Sequence, residues 1–303
     1  MRPLAVGIQL PEVERVVRWP ELAAMVREIE DLGFDSIWVG DHLLYDTPEG
    51  RSGPWEAWTQ LAAIAAVTER VTIGPLVAST GFHAPAMLAK QAATVDEISA
   101  GRLVLGLGAG WNRVEYDAFG FPFDHRASRF VESFEVIRRL LAGERVDMDG
   151  RYVTVRGAEL LPPPRPGGPP LMVGSIGPRV LGATLGHVAM WNAWFSWYGN
   201  TASGIADLRL DVAAEARRVG RDAEEIEYTA AVLVALPGAV GRNSHDHDDR
   251  SVVPLAGERP GAVADELRRF AEAGIGHVQL VVDPITVESI RRLSDVLVLL
   301  DRG

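Results

Sequence analysis

The sequence predicts a (β/α)8 TIM barrel of the α/β class, a single domain with insertions spanning residues 1–303, on three observations. Short apolar stretches of strand length alternate with amphipathic helical stretches along the whole chain. The first four strands start near residues 4, 36, 71 and 103. That repeat of roughly 31 to 36 residues is the length of one parallel strand with its crossover helix. No Ser/Gly-rich linker divides the chain, and eight strands alternating with eight helices suit a closed barrel. An open doubly wound sheet is the alternative.

Each element has its own signal. Residues 4–10 are apolar and stop at Pro11, as a buried strand would. Residues 21–32 carry Leu22, Met25, Val26, Ile29 and Leu32 on one helical face, and Gly33 is the stop. Strands follow at 36–39, 71–77 and 103–109, with helices at 58–69, 85–98 and 125–141 between and after them. Residues 144–170 read as an insertion ending in a Pro-rich stretch. Strands at 171–174, 187–191, 228–236 and 277–282 alternate with helices at 178–185, 205–219, 262–273 and 287–300. Residues 237–260 lack periodicity and follow the seventh strand, where a barrel carries active-site loops. A lid over the site and a solvated loop are the two readings of that segment.

Composition narrows the function classes. Net charge is −11 and the arginines form no stripe, which argues against a nucleic-acid binder. Cysteine is absent, which excludes disulfides, thiolate metal sites and cysteine nucleophiles. The apolar start is too short for a signal peptide, and the longest apolar run, 61–67, is too short to span a bilayer. A cytoplasmic protein with no membrane or nucleic-acid partner is expected. Lys90 is the only lysine, a hint of a GC-rich genome.

The chemistry-bearing residues sit at strand ends. Strand 36–39 runs through Gly40 into Asp41 and His42, which would face the barrel mouth. His42 suits an acid/base near neutral pH, with Asp41 orienting it or binding a ligand; a hydrogen-bonded structural histidine is the plainer reading. In the fourth strand Gly106, Gly108 and Gly110 alternate, leaving one face without side chains. The strip leaves room for a flat ring, or for packing beside a bulky neighbour. Its spacing is G-x-G-x-G and it lies in the fourth unit, so a dinucleotide fingerprint does not fit. Gly174, Ser175, Ile176 and Gly177 open a helix and read as a phosphate-binding turn or an ordinary Gly-rich turn. Trp191, Trp194, Phe195, Trp197 and Tyr198 make the densest aromatic stretch, a candidate pocket wall or a packed loop. His245-Asp246-His247-Asp248-Asp249 looks metal-like but reads as a solvated loop, so no metal site is expected there. The charged run Asp96 to Arg102 is explained by a helix end with a glycine cap.

Assembled, these pieces resemble the luciferase-like monooxygenase superfamily. The likeness is carried by Pro85 to Arg102 leading into LVLGLGAGWNRVEYDAFG, by Arg126, Arg129 and Glu132, and by the Gly174 loop followed by Trp191 and Asn192. The resemblance implies a barrel, a homodimer, and FMN or the deazaflavin coenzyme F420 at the C-terminal mouth; the GC-rich hint tilts the preference to F420. It implies that Asp41 and His42 lie beside the ring, with His42 catalytic. It places a non-prolyl cis peptide within Pro75-Leu76-Val77-Ala78, so that Leu76, Val77 and Ala78 back the ring. It puts Gly108, Ala109 and Gly110 under the ring, Asn112 nearby, and Gly174, Ser175, Ile176 and Gly177 at the phosphate. Trp111, Trp191 and Trp194 are the candidate substrate pocket. Related sugar-phosphate dehydrogenases carry a catalytic Glu where this chain has Trp111, which points to an apolar substrate.

The expected reaction is hydride transfer to or from a small organic molecule, with His42 handling the proton. Monooxygenation with oxygen and reduced FMN is the alternative, and a flavin or F420 reductase is the expected partner. A metal-dependent barrel hydrolase using His42, His83, His187 and Asp283, and a non-catalytic flavin-binding protein, are the rivals of another class.

Overall fold

The computed structural model describes residues 2–47, 50–240 and 252–302. Eight principal strands line up in parallel: β1 Ala5–Gln9, β2 Ser36–Val39, β3 Thr72–Pro75, β4 Leu105–Gly108, β5 Leu171–Gly174, β6 Met190–Ala193, β7 Glu227–Ala235 and β8 His277–Asp283. Hydrogen bonding runs β3-β2-β1-β8-β7-β6-β5-β4. The ring closes between β4 and β3 through the short strand Ala78–Ser79, which pairs with Leu107 and Gly108, and through the bridge Ile73 to Leu103. Nine parallel strands thus form a nearly closed barrel: the predicted eight, with Ala78–Ser79 as the ninth.

Closure works because inward positions are small or self-satisfied. Trp38 fills the lumen where Gly7 and Gly74 stand opposite; a Cβ at Gly74 would lie 2.8 Å from its ring. Its indole N–H donates to Ser36 Oγ at 2.7 Å, which also meets His277 Nε2 at 2.7 Å. Higher in the lumen, Asn192 Nδ2 donates to Thr229 Oγ1 and to Gln279 Oε1. Outward residues such as Ile8, Ile37, Ile73, Leu105 and Val173 are fully buried beneath the helices.

Nine helices surround the barrel among the described residues: α1 Trp19–Asp31, α2 Ala57–Val67, α3 Pro85–Ile98, α4 Arg113–Phe119, α5 Arg126–Leu141, α6 Pro178–Thr184, α7 Ala202–Arg218, α8 Pro260–Glu272 and α9 Val287–Asp301. The stripe Leu22, Met25, Val26 and Ile29 of α1 is buried, as its spacing requires. Arg102, from the charged run that follows α3, ties down the amino-terminal face of the barrel. Its guanidinium donates to the carbonyls of Ala65, Thr68, Val71 and Ser99 and to Thr68 Oγ1. Those carbonyls include orphan acceptors at the end of α2, and α3 ends on Gly101 at φ 89°.

Four features depart from the expected pattern. The third strand does not run unbroken over 71–77, because it is interrupted at Leu76–Val77, whose peptide bond is cis. The sixth strand begins at Met190 rather than at 187, because the carbonyl of Thr184 accepts the N–H groups of His187 and Val188 and prolongs the turn after α6. Helix α4 was not marked by the apolar periodicity. Two antiparallel pairs also lie outside the barrel, Tyr45–Thr47 with Gly50–Ser52 and Val146–Asp149 with Thr154–Ala158. Of segment 237–260, Leu255–Ala256 pairs with Val234 and Ala235 of β7, and Pro260 already opens α8. Residues 241–251, with the His245 to Asp249 motif, lie outside the described residues.

Candidate active site

A cavity of about 300 Å³ opens at the carboxyl ends of the strands, the end at which barrels place their sites. Asp41 and His42 lie on its wall just beyond β2, together with Leu76, Val77, Gly108, Ala109, Gly110, Trp111, Trp194 and the loop Gly174, Ser175, Ile176 and Gly177. The strand-end reading therefore brings most of its candidates into one place.

His42 sits in a nest of carboxylates. Its Nδ1 is 3.0 Å from Glu115 Oε2, and its Nε2 is 3.8 Å from Glu12 Oε1. A carboxylate only accepts, so Nδ1 carries a proton and Nε2 is the atom that gains or loses one. Burial by itself would lower the His42 pKa; the negative charges of Glu12, Glu115 and Asp41 outweigh it and raise it above the ordinary imidazole value. Glu12 in turn accepts from Tyr45 Oη at 3.0 Å and from Gln9 Nε2 at 3.2 Å. Asp41 is turned away from the imidazole's bonding nitrogens. It accepts from the backbone N–H of Ser79 and pairs with His83 Nε2, both at 2.8 Å, which pins the chain that follows the cis peptide.

The glycine strip has a different use from the one its emptiness suggests. A Cβ at Gly108 would lie 2.7 Å from Val77 Cγ2, and one at Gly106 would lie 2.9 Å from Val77 Cγ1 and from Met172 Cε. A Cβ at Gly174 would stand 3.1 Å from the same valine. The strip is thus filled by Val77, the packing alternative, and Val77 with Leu76 presents the apolar surface to the cavity. Gly110, at φ 72°, lies against Tyr116, whose hydroxyl meets Ser79 Oγ and the carbonyl of Ala109.

Three expected site residues are placed elsewhere. Asn112 does not line the cavity; its amide donates to the carbonyl of Leu44 at 2.9 Å. Trp191 faces outward from β6, fully buried, and its indole N–H donates to the carbonyl of Ser175 at 2.8 Å. It supports the turn that it was expected to face. Ala78 pairs with Leu107 in the barrel wall, also outside the cavity lining. Among the described residues no group of three or more His, Asp and Glu side chains is placed to hold a metal ion. His187 lies before β6, near Phe134, at the opposite end of the barrel from His42.

Residues that the sequence reading passed over complete the site. Glu12 follows Pro11, where the reading of the first strand stopped; Gly40 leaves the room its carboxylate occupies. Glu115 is fully buried and comes from α4, the unmarked helix. Gln9, Tyr45 and Phe82 also line the cavity, as do Asn192 and, from the aromatic stretch read as a candidate pocket wall, Trp197.

Fold and site together define an α/β-barrel enzyme with a carboxylate-held histidine on the wall of a cleft at the carboxyl-terminal mouth. Residues 5–244 match the family model described as luciferase-like monooxygenase, and the chain belongs to that family. It is 34% identical over 233 residues to a 5,10-methylenetetrahydromethanopterin reductase of Archaeoglobus fulgidus, covering 73% of this chain and 67% of that one. It is 36% identical over 157 residues to an F420-dependent glucose-6-phosphate dehydrogenase of Amycolatopsis mediterranei, covering 50% of this chain and 46% of that one. This chain therefore matches under half the length of the dehydrogenase. Among solved structures it is similar to an F420-dependent secondary alcohol dehydrogenase in complex with an F420-acetone adduct, at a TM-score of 0.82 and 21% identity over 99% of each chain. That likeness concerns the fold. No helix among the described residues is long and apolar enough to cross a membrane.

Proposed function

We propose that this chain is an F420-dependent oxidoreductase, or an FMN-dependent one, that moves hydride to or from a small, uncharged, apolar organic molecule. The observation that carries the reading is His42, held by carboxylates on one side of an otherwise apolar cleft. The cleft's donor set fits a flat ring with polar edges. Leu76, Val77, Trp111, Trp194 and Trp197 supply apolar walls, and Gln9 Oε1 is a buried acceptor without a protein partner on the cavity lining. The reductase and dehydrogenase relatives favour the deazaflavin.

When bound, such a cofactor supplies the hydride chemistry. The chain's own groups then do three things. Val77, fixed by three glycines, and Leu76 form a rigid backing. The tryptophans exclude water and position the substrate. His42 holds the proton at Nε2 and gives it to, or takes it from, the substrate oxygen. Gly174 to Gly177 remains the proposed phosphate contact, resting on the loop's own N–H groups because α6 has only 7 residues. We also propose one catalytic domain, a cytoplasmic location and a homodimer, the last supported by the family resemblance and checked by light scattering.

The family's description favours a second reading, monooxygenation with molecular oxygen and FMN that a partner reductase has reduced. Titrating the purified protein with F420 and separately with FMN, followed by fluorescence, separates the two. Tight F420 with weak FMN binding supports hydride transfer. The reverse, with oxygen uptake linked to substrate, supports monooxygenation. Binding of neither would overturn the cleft's assignment.

A further inference from the structure

We propose that Glu115 is the positioning residue of His42: it fixes which nitrogen of the imidazole titrates, and thereby aims the proton at the cleft. The inference deepens the redox reading and rests on it for its catalytic meaning.

The argument starts from where Glu115 comes from. It lies on α4, one turn after Asn112, and is fully buried. A buried carboxylate is costly unless every lone pair is used. Glu115 meets that condition through one loop alone. Its Oε1 accepts the backbone N–H of Leu43 at 2.6 Å and of Leu44 at 3.1 Å, and its carboxylate accepts Nδ1–H of His42 at 3.0 Å. Asn112 holds the same loop from the other side through the carbonyl of Leu44. The helix thus clamps residues 42–44, and the imidazole is the clamp's only side chain with a choice of tautomer.

That choice has a consequence. With Nδ1–H bound to Glu115, Nε2 is left toward Glu12 and the cleft, as a base when neutral and as an acid when protonated. The other groups facing the ring among the described residues are Glu12 from the loop after β1, Asp41 beside it in the chain, and Tyr45 from the hairpin strand, with Trp111 packed edge-on at 5.7 Å. None of these meets Nδ1. Glu12 stabilises charge at Nε2, whereas Glu115 decides that the charge develops there. A glutamine at 115 keeps one carbonyl for the loop N–H groups. Its –NH2 would donate to Nδ1, forcing the proton to Nε2 and removing a charge that favours imidazolium.

The test is nitrogen NMR of the histidine-labelled protein without cofactor, with His42 assigned among the seven histidines by its loss in His42→Gln. In the wild type, neutral His42 is expected as the Nδ1–H tautomer, titrating above the ordinary imidazole value. In Glu115→Gln it is expected as the Nε2–H tautomer with its midpoint moved to lower pH. Glu115→Asp should restore Nδ1–H at least in part. With cofactor and substrate, Glu115→Gln should lower turnover by about 10- to 100-fold while cofactor Kd changes little. An Nε2–H tautomer in the wild type would overturn the proposal, even if the variant fails to fold. So would an unmoved tautomer and midpoint in a folded Glu115→Gln. A tautomer that switches as expected, in a protein whose His42→Ala variant turns over normally, would support the positioning and sink the redox role of His42.

Discussion

Val77 stands in a socket made by glycines of two strands: a Cβ placed on Gly108 would come within 2.7 Å of Val77 Cγ2. The two residues are 31 positions apart in the sequence, yet each dictates the other's size. Gly108→Ala is therefore expected to destabilise the fold by about 1–3 kcal/mol through overpacking. Val77→Ala removes the methyl groups concerned, and the double variant should recover a good part of the loss. Urea unfolding of the four proteins checks this. Strict additivity would mean that the two side chains do not share the space.

That pair also shows where sequence reading stops. The alternation of Gly106, Gly108 and Gly110 made the bare strip visible, since side chains two apart share a face. What fills the strip comes from another strand, and no local pattern in β4 names Val77. The barrel itself was legible because strand and helix periods differ and repeat along the chain. Asp41 and His42 were legible because they end an apolar strand. Glu12 and Glu115 were not, because a charged residue in a loop or on a short helix reads as solvated until its buried partners are known. Trp191 misled for the converse reason: aromatic density does not say which side of a strand faces the site.

His42→Ala is expected to lower turnover by roughly 10²–10⁴-fold, the usual contribution of a positioned acid or base, with cofactor Kd changing far less. The carboxylates that raise its pKa also set a stability signature. In the unfolded chain the imidazole loses its proton near pH 6.5, and in the folded protein it does so at higher pH. The stabilisation from the charged ring is thus full below the unfolded value and is lost as pH rises through the folded one. His42→Gln should cost more stability at pH 5.5 than at pH 8.5, as paired unfolding series at the two pH values would show. Equal costs would deny the paired imidazolium.

Substrate charge is the next expectation. Glu12, Asp41 and Glu115 line the cavity, and no Lys or Arg does among the described residues. A phosphate or carboxylate on the substrate would face like charge without a counterion. In a substrate panel, kcat/KM for neutral alcohols and ketones should exceed that for sugar phosphates by about 100-fold or more. Trp111 occupies the wall beside His42, and Trp111→Ala should raise KM for the apolar substrates more than it lowers kcat. Sugar phosphates turning over as well as neutral substrates would contradict this account.

Arg102 makes a stability prediction far from the site. Its guanidinium serves Ala65, Thr68, Val71 and Ser99 at once, with no carboxylate among its hydrogen-bond partners. Arg102→Ala should cost about 2–4 kcal/mol, because several buried carbonyls lose their donor together. Arg102→Lys should recover little, since an ammonium cannot reproduce the planar fork. Thermal unfolding measures both, and a lysine variant as stable as the wild type would show that charge, not geometry, is what α2 and α3 require.

The amino-terminal end of the barrel lumen, away from the cleft, supplies a pH prediction of the reverse sign. His277 lies between Trp38 and Ser36, 5% exposed, and burial lowers its pKa from 6.5 to about 4. Among the described residues the one side-chain hydrogen-bond partner of its ring is the Ser36 hydroxyl, which also accepts from the Trp38 indole, so the hydroxyl's proton is free to go to Nε2. With the indole donating to the oxygen, Nε2 serves as the unprotonated acceptor; protonating it would set two N–H donors on that one oxygen and leave the hydroxyl proton without an acceptor. The unfolded chain takes up a proton near pH 6.5 while the folded chain does not, so stability falls as pH drops from 6.5 toward 4. The loss attributable to this residue alone is about 3 kcal/mol at most. His277→Gln, whose carbonyl can accept from Ser36 at any pH, should be less stable than the wild type at pH 7 and should lose distinctly less on acidification to pH 4.5. Parallel acid-titrated unfolding curves for the two proteins would mean that the acid sensitivity of this barrel lies elsewhere, among its paired carboxylates.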